Sequence, residues 1–274
     1  LKNKNKKNII TFKGAFHGRT FAALSAQKNK KYSESFEPLL SGFINIPFNN
    51  IDELKKHVDE NTAAIMIEPV QGEGGIIPAN LKFLESIQKI CLENDILFFL
   101  DEVQSGFGRT GKLFAYEWGN FEPDVMAVAK GIGSGFPLSA CLSSKKACIG
   151  MVKGTHGSTY GGNPLAISVG IEVLKIVIED GFLPKVDKNA RYLWNNLKKL
   201  QLEIEEIIEV RGAGFLLGIK TKSNNLEINK LLTNNGLLCV PASDNIIRLA
   251  PPIIVNKMEI DQALQIIKNT LLNK

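Results

Sequence analysis

Histidine and cysteine are scarce in this chain, with three His (His17, His57 and His156) and four Cys in 274 residues. The histidines are widely separated and no C-x-x-C pair occurs, so there is no metal cluster to propose and no disulfide framework to trace. Cys91, Cys141, Cys148 and Cys239 mostly sit in apolar surroundings and read as buried free thiols in a reducing compartment. No apolar run approaches the roughly 18 to 20 residues that span a membrane, and no signal peptide precedes the first apolar segment. The expectation is a cytoplasmic protein that does not engage a membrane. Charge of one sign is also in short supply. The 33 basic residues exceed the 28 acidic ones by only five, and much of that excess is the opening run LKNKNKK. Such a run reads as a solvated loop or helix face, and no nucleic-acid arm is inferred from it.

What is present is a globular composition, 44% hydrophobic and 22% charged, with length enough for one large domain or two unequal ones. The chain opens on Leu1, and its basic run leads almost directly into an apolar segment. A piece that has lost its beginning is therefore expected.

Short Ile-rich runs at 9–12 (IITF) and 63–70 (AAIMIEPV) read as buried strands. Between 79 and 94, Leu81, Leu84, Ile87, Ile90 and Cys91 recur at three- and four-residue steps, the mark of an amphipathic helix. A strand at 96–103 (ILFFLDEV) follows, and a strand, helix and strand in succession imply neighbouring parallel strands. The next strand, at 124–131 (DVMAVAKG), runs into the loop GIGSGFP. Three strands thus end in polar groups: Glu68, the group from Asp101 to Gln104, and Lys130. Open parallel sheets bind ligands beyond the carboxyl ends of their strands, so these groups are expected to converge. Helices at about 164–179 and 191–200, strands near 207–210, 215–220 and 245–253, and a closing helix at about 257–272 suggest a smaller α+β domain. The division is placed at 1–170 and 171–274, within an α/β class.

LDEVQSGFGRTGKLF (100–114) imitates a nucleotide site, because Gly106, Gly111 and Lys112 have the phosphate-loop spacing and Asp101-Glu102 ends an apolar strand. The residue after Lys112 is Leu113, where a phosphate loop needs Ser or Thr for magnesium. One element would also have to serve as both loop and acidic strand. GFGRTGK is better read as a flexible glycine-rich turn.

A buried carboxylate on one strand end and a lysine on another suit pyridoxal phosphate chemistry. There the Lys amine forms a Schiff base with an aldehyde, and a carboxylate keeps the pyridine nitrogen protonated. The freed amine can then act as general acid and base. On spacing alone a capping Asp and a surface Lys account for the pattern better. The surroundings change that weight. FKGAFHGRT (12–20), IEPVQGEGG (67–75), LDEVQSGFGRTG (100–111), DVMAVAKGIGSGFPLSA (124–140) and HGSTYGGNPLA (156–166), with RLAPP near the end, occur in order over essentially the whole chain. Together they resemble the class III, or subgroup II, pyridoxal phosphate aminotransferases.

That resemblance implies the pyridoxal phosphate-dependent transferase fold (fold type I), a mostly parallel large domain with a smaller C-terminal α+β domain. It implies Lys130 as the Schiff-base lysine and Asp101 as partner of the ring nitrogen, with Glu102 beside it in the cofactor group. Val103 and Phe16 would pack on opposite ring faces, and Gln104 would bond the ring hydroxyl oxygen. Thr159 would reach the cofactor phosphate of a neighbouring subunit and Ser158 would contact substrate, which implies a homodimer with a shared active site. Arg19 resembles the residue that grips the α-carboxylate of N2-acetylornithine, and Arg248 the one that grips glutamate or 2-oxoglutarate. Glu73 resembles a gate that covers Arg248. His17 is open between a packed neighbour and a participant. The implied reaction is transfer of the ω-amino group of N2-acetylornithine to 2-oxoglutarate. Ornithine, succinylornithine, succinyldiaminopimelate and γ-aminobutyrate are alternative donors, and a non-catalytic fragment of the fold is the alternative outside catalysis. The family carries, ahead of FHGRT, a Gly-rich helix start for the cofactor phosphate. It is not found in these residues, so the 274-residue chain alone is expected to be inactive or unstable.

Overall fold

The structure is a computed structural model that describes residues 5–273. Strand β1 (Asn8–Phe12) buries its last three residues. Helices α1 (Phe21–Gln27) and α2 (Lys30–Ser33) follow, then β2 (Phe43–Ile46), α3 (Ile51–His57) and β3 (Thr62–Ile67). A small hairpin, β4 (Val70–Gln71) and β5 (Ile77–Pro78), leads into α4 (Leu81–Glu93), after which come β6 (Leu97–Asp101), β7 (Val125–Val128) and β8 (Ala140–Ser143). These build a six-stranded sheet in the order β2-β1-β3-β6-β7-β8. Its neighbours are parallel except for β7 and β8. The expected strand–helix–strand unit is present, β3 and β6 pairing in parallel across α4. Phe83, Leu84, Ile87, Ile90 and Cys91 make the buried stripe of that helix, whereas Leu81, counted in the apolar pattern, is 42% exposed.

The strands of this sheet stop sooner than their apolar runs suggest, at Ile67, Asp101 and Val128. The reason is local. Val103 donates its backbone N–H to Asp101 Oδ1, and Lys130 has φ +47, a left-handed conformation that no strand continues. The polar residues therefore leave the sheet at its carboxyl edge, where side chains can face one another.

In the second half, α5 (Pro164–Val177) and α6 (Phe182–Glu203) precede β9 (Ile207–Ala213) and β10 (Leu216–Thr221). Helix α7 (Asn225–Asn234), β11 (Val240–Ala242), β12 (Ile246–Leu249) and α8 (Lys257–Leu272) complete the chain. The second sheet, ordered β11-β12-β10-β9, is antiparallel throughout. Helix α6 starts well before the expected 191, because Pro184 falls in its first turn, where a missing N–H costs no helical bond. Helix α8 matches its expected span and opens with reciprocal Asn256 and Glu259 caps. The expected division at 170 lies within α5, which is continuous from Pro164 to Val177.

One apolar core fills the space between the large sheet and its helices, and a second lies between β9, β10, β12 and helices α6, α7 and α8. Val70, Ile76, Leu216 and Ile246 form a small cluster joining the β4–β5 hairpin region to the second sheet. Of the four thiols only Cys91 is buried; Cys141 and Cys148 are exposed and Cys239 is half-buried. The expectation of buried free thiols holds for Cys91 and is corrected for Cys141 and Cys148; β8, which carries Cys141, is an edge strand with all four residues exposed. Residues 1–4 of the basic run lie outside the described residues, but Lys6 is not merely solvated: its ammonium donates to the carbonyls of Asn94 and Asp95. Among the described residues no helix is long and apolar enough to cross a membrane.

Candidate active site

The register of β6 and β7 sets the site. Asp101, the last residue of β6, stands opposite Ala127, and Lys130 follows three residues later on the neighbouring strand's exit. Both strands run the same way, so the acid and the amine emerge at one edge. Lys130 opens a short 3-10 turn, Lys130–Gly133. The residue after it must be Gly, because a Cβ at Gly131 would lie 2.8 Å from Phe107 Cβ. A left-handed Lys is strained backbone, costing about 1 to 3 kcal/mol, and such strain persists where the surroundings hold a residue in place.

Asp101 is 6% exposed, with both carboxylate oxygens engaged. Oδ1 accepts the Val103 N–H at 3.1 Å, and Oδ2 meets His17 Nδ1 at 2.8 Å. His17 comes from the loop after β1, where its own N–H donates to Gln27 Oε1 at 2.9 Å. Burial works against charge on the imidazole, but the Asp101 hydrogen bond, with the charges of Glu68 and Asp101, outweighs it and raises the His17 pKa. His17 is thereby resolved as a direct partner of Asp101. Its Nε2 is buried with no partner.

Glu68, just past β3, joins the same cluster. Oε2 accepts the Phe16 N–H at 2.9 Å and Oε1 the Gly72 N–H at 3.4 Å. Burial pushes its pKa up, opposed by His17. The Lys130 pKa is lowered, chiefly by burial and then by the Arg248 charge, while Asp101, Glu68 and Glu73 pull it the other way. Lys130 is exposed as a residue, and an amine with a lowered pKa is a better nucleophile and base near neutrality. Glu68, the Asp101–Gln104 group and Lys130 thus come together as the strand-end argument expected.

Gln104 fills a place that only glycine at position 72 permits, since a Cβ there would sit 2.0 Å from Gln104 Oε1. Gln104 and Lys130 also line a cavity of ≈ 720 Å³, whose walls include Phe107, Arg109, Leu138 and Ile253. The polar cluster and this mostly apolar cavity adjoin at those two side chains; Asp101, His17 and Phe16 are not in its lining. Val103 is half-buried beside Asp101. Glu102, beside Asp101, accepts from Ser105 Oγ and from the Tyr116 N–H, bracing the loop after β6, and burial pushes its pKa up to about 7.

The two arginines lie on different elements. Arg248, on β12, pairs with Glu73 at 2.7 Å, with side chains 11% and 36% exposed. The Glu73 carbonyl is held by the Ser243 N–H at 3.2 Å. Arg19 is exposed, its guanidinium 5.4 Å from the Tyr32 ring centroid, and Tyr32 meets Phe16 edge-on at 5.6 Å. Tyr32 escaped the sequence reading because a lone Tyr after two lysines carries no motif. Ser158 and Thr159 stand in an exposed turn, where Ser158 Oγ accepts the Gly161 N–H at 3.1 Å.

GFGRTGK is not a flexible turn. Arg109 sends its guanidinium to the carbonyls of Pro251 and Phe215, and burial lowers its pKa to about 10. Thr110 Oγ1 donates to the Ser105 carbonyl at 2.9 Å. The segment clasps the large sheet to the second one. What could have revealed it is the arginine within a glycine-rich stretch, a residue type that holds carbonyls from a rigid fork.

Residues 1–271 match the family described as Aminotransferase class-III. The chain is 48% identical over 261 residues to an acetylornithine aminotransferase of Mesorhizobium japonicum, covering 95% of this chain and 65% of that protein. An acetylornithine aminotransferase of Bacillus cereus is 42% identical over 273 residues, covering 100% and 71%. Among solved structures, the ornithine aminotransferase from Toxoplasma gondii ME49 superimposes with a TM-score of 0.94 at 28% identity, covering 99% of this chain and 66% of that one. The N-acetylornithine aminotransferase from Stenotrophomonas maltophilia K279a gives 0.82 at 30% identity, covering 99% and 67%. The chain thus spans about 65% of the length of the first of these relatives.

Proposed function

The chain belongs to the class-III aminotransferases, and from that membership we propose that the protein transfers the ω-amino group of N2-acetylornithine to 2-oxoglutarate with pyridoxal phosphate. The observation that carries this reading is the meeting of a His17-paired Asp101 and of Lys130, an amine whose pKa is lowered, at the ends of neighbouring parallel strands. The residues fit the cofactor: a buried anion, a carboxamide in a space kept by Gly72, and an amine on a cavity wall. When bound, pyridoxal phosphate supplies an aldehyde for the amine and a ring that withdraws electrons from the carbon losing its proton.

Asp101 would hold the proton on the ring nitrogen, and His17 fixes the carboxylate that would do so. Gln104 would hold the cofactor by a hydrogen bond from its carboxamide, and Val103 and Phe16 would pack against it. Lys130 Nζ, once free, would take the proton from the substrate carbon and hand it to the cofactor carbon that ends up bearing the amino group, a task eased by its lowered pKa. Arg19 holds the α-carboxylate of the ω-amino donor, leaving its distal amine at Lys130. Arg248 is covered by Glu73 while that donor reacts, and is uncovered for glutamate.

A second copy of the chain is part of the proposal. Helix α5 exposes Ile167, Ile171 and Leu174 on one face, an apolar stripe of the kind that marks an interface. In such a homodimer Ser158 and Thr159 serve the neighbour's substrate and phosphate. We place the protein in the cytoplasm. The test is the full-length protein with acetylornithine, ornithine and γ-aminobutyrate as donors to 2-oxoglutarate, with sedimentation velocity for the dimer. Acetylornithine is expected to give the highest kcat/KM, and Lys130→Ala to abolish turnover and the visible absorbance of bound cofactor. A variant that kept both would remove the central assignment.

A further inference from the structure

Glu68 is a buried carboxylate that the proposed reaction leaves without a task. Its two oxygens reach two separate loops, accepting the Phe16 N–H at 2.9 Å and the Gly72 N–H at 3.4 Å. These are the roots of the Phe16-His17 pair on one side and of the Glu73 gate on the other. One N–H donor on each oxygen favours the ionised form, while burial and the Asp101 charge push the pKa up to about 7. Burial opposes that form, and the charge that offsets it is His17.

His17 has a complementary need. Its Nδ1 lies 2.8 Å from Asp101 Oδ2, its Nε2 is buried without a partner, and its side chain is 1% exposed. An imidazolium so placed requires negative charge around it. The charges acting on it are Asp101 and Glu68, those acting on Glu68 are His17 and Asp101, and those acting on Lys130 are Arg248, Asp101, Glu68 and Glu73.

We propose that Glu68 is a positioning residue: it fixes the backbones of Phe16 and Gly72 and supplies the second negative charge that keeps His17 an imidazolium, so that Asp101 remains an anion. The inference rests on the proposed function only in taking Asp101 as the partner of a ring nitrogen. Glu68 touches neither substrate nor cofactor in this scheme. It acts through His17, and secondarily through the field it adds at Lys130.

The test reads the imidazole directly. In the full-length protein, cofactor-loaded and cofactor-free, His17 is followed by 15N NMR, with its signals assigned by their loss in His17→Gln. Glu68→Gln keeps the size of the side chain and a carbonyl oxygen for one N–H but removes the charge. It is expected to lower the pH at which His17 gives up its second proton by about one unit or more, a tenfold change in the proton equilibrium. The absorbance of the bound cofactor is expected to titrate at lower pH in parallel. Glu68→Asp keeps the charge while shortening the clamp, and is expected to titrate as the parent does. An unchanged His17 titration in Glu68→Gln would reduce Glu68 to a backbone clamp and overturn the proposal. So would a His17 in Glu68→Asp that titrates like an ordinary histidine, a measurement that stands even if Glu68→Gln does not fold. Absence of cofactor absorbance or transamination in the parent protein would instead count against the proposed function, because the cofactor-free titration does not depend on either.

Discussion

Replacing Glu73 by Gln separates the two halves of the proposed reaction. In the structure Glu73 Oε1 lies 2.7 Å from Arg248 Nη1, with the arginine 11% and the glutamate 36% exposed. Fully exposed pairs contribute about 0.2 to 1 kcal/mol, and hydrogen bonds to charged groups about 1.5 to 3 kcal/mol. With one partner buried and the other half in solvent, the pair is worth about 1 to 2 kcal/mol. A glutamate α-carboxylate must displace Glu73 before it can reach the guanidinium, and so gives up that amount on binding. An ω-amino donor leaves the pair intact and gives up none. Glu73→Gln is therefore expected to lower KM for glutamate by about 5- to 30-fold, the factor that corresponds to 1 to 2 kcal/mol. KM for acetylornithine is expected to stay within about twofold. Glu73 also raises the Lys130 pKa. Its neutralisation should thus move the basic group in the pH profile downward, not upward. The assay is single-turnover kinetics of each half-reaction on the full-length protein, monitored by cofactor absorbance. Equal changes in KM for both donors would refute the reasoning, because they would mean that the pair does not distinguish the substrates.

Three further outcomes follow from other contacts. Arg109→Met leaves the partly buried carbonyls of Pro251 and Phe215 without this donor, and is expected to destabilise by about 1 to 3 kcal/mol in urea unfolding; a loss below about 0.5 kcal/mol would show that the clasp holds nothing. Burial raises Glu102 to about 7 from 4.5, so the folded state binds the extra proton between those values and the parent loses stability as pH rises through that window. Glu102→Gln removes this dependence, so the variant should gain on the parent by on the order of 2 to 3 kcal/mol between pH 4.5 and 7, and parallel urea midpoints at pH 5 and 8 would contradict it. Gly72→Ala puts a Cβ 2.0 Å from Gln104 Oε1. The flexible carboxamide should yield while the fold holds, with unfolding within about 1 kcal/mol of the parent and cofactor affinity weakened about 5- to 30-fold, as for one lost hydrogen bond; unchanged affinity would mean that Gln104 does not hold the ring.

The sequence revealed most where a single periodicity or a strand end decides the outcome. Helix α4 and helix α8 follow from apolar spacing and caps, and the convergence of Glu68, Asp101 and Lys130 follows from parallel strands that end together. Where the chain leaves the sheet was harder to read, because apolar residues continue past the last ladder bond at Asp101 and Val128. Local competition stops those strands: a carboxylate takes the Val103 N–H, and Lys130 adopts a left-handed turn. Long-range polar contacts were the least legible. His17 to Asp101 spans 84 residues and Arg109 to Pro251 spans 142, and no local pattern signals either. The stretch LDEVQSGFGRTGKLF shows both limits at once. Its first half delivers Asp101, as a strand end should. Its second half, read as a loose turn, carries the guanidinium that ties the loop beside the site to Pro251, three residues after Arg248. The same tie gives the large sheet and the strand that carries Arg248 a common anchor, so the Asp101 end and the guanidinium proposed to grip the substrate are held by one framework.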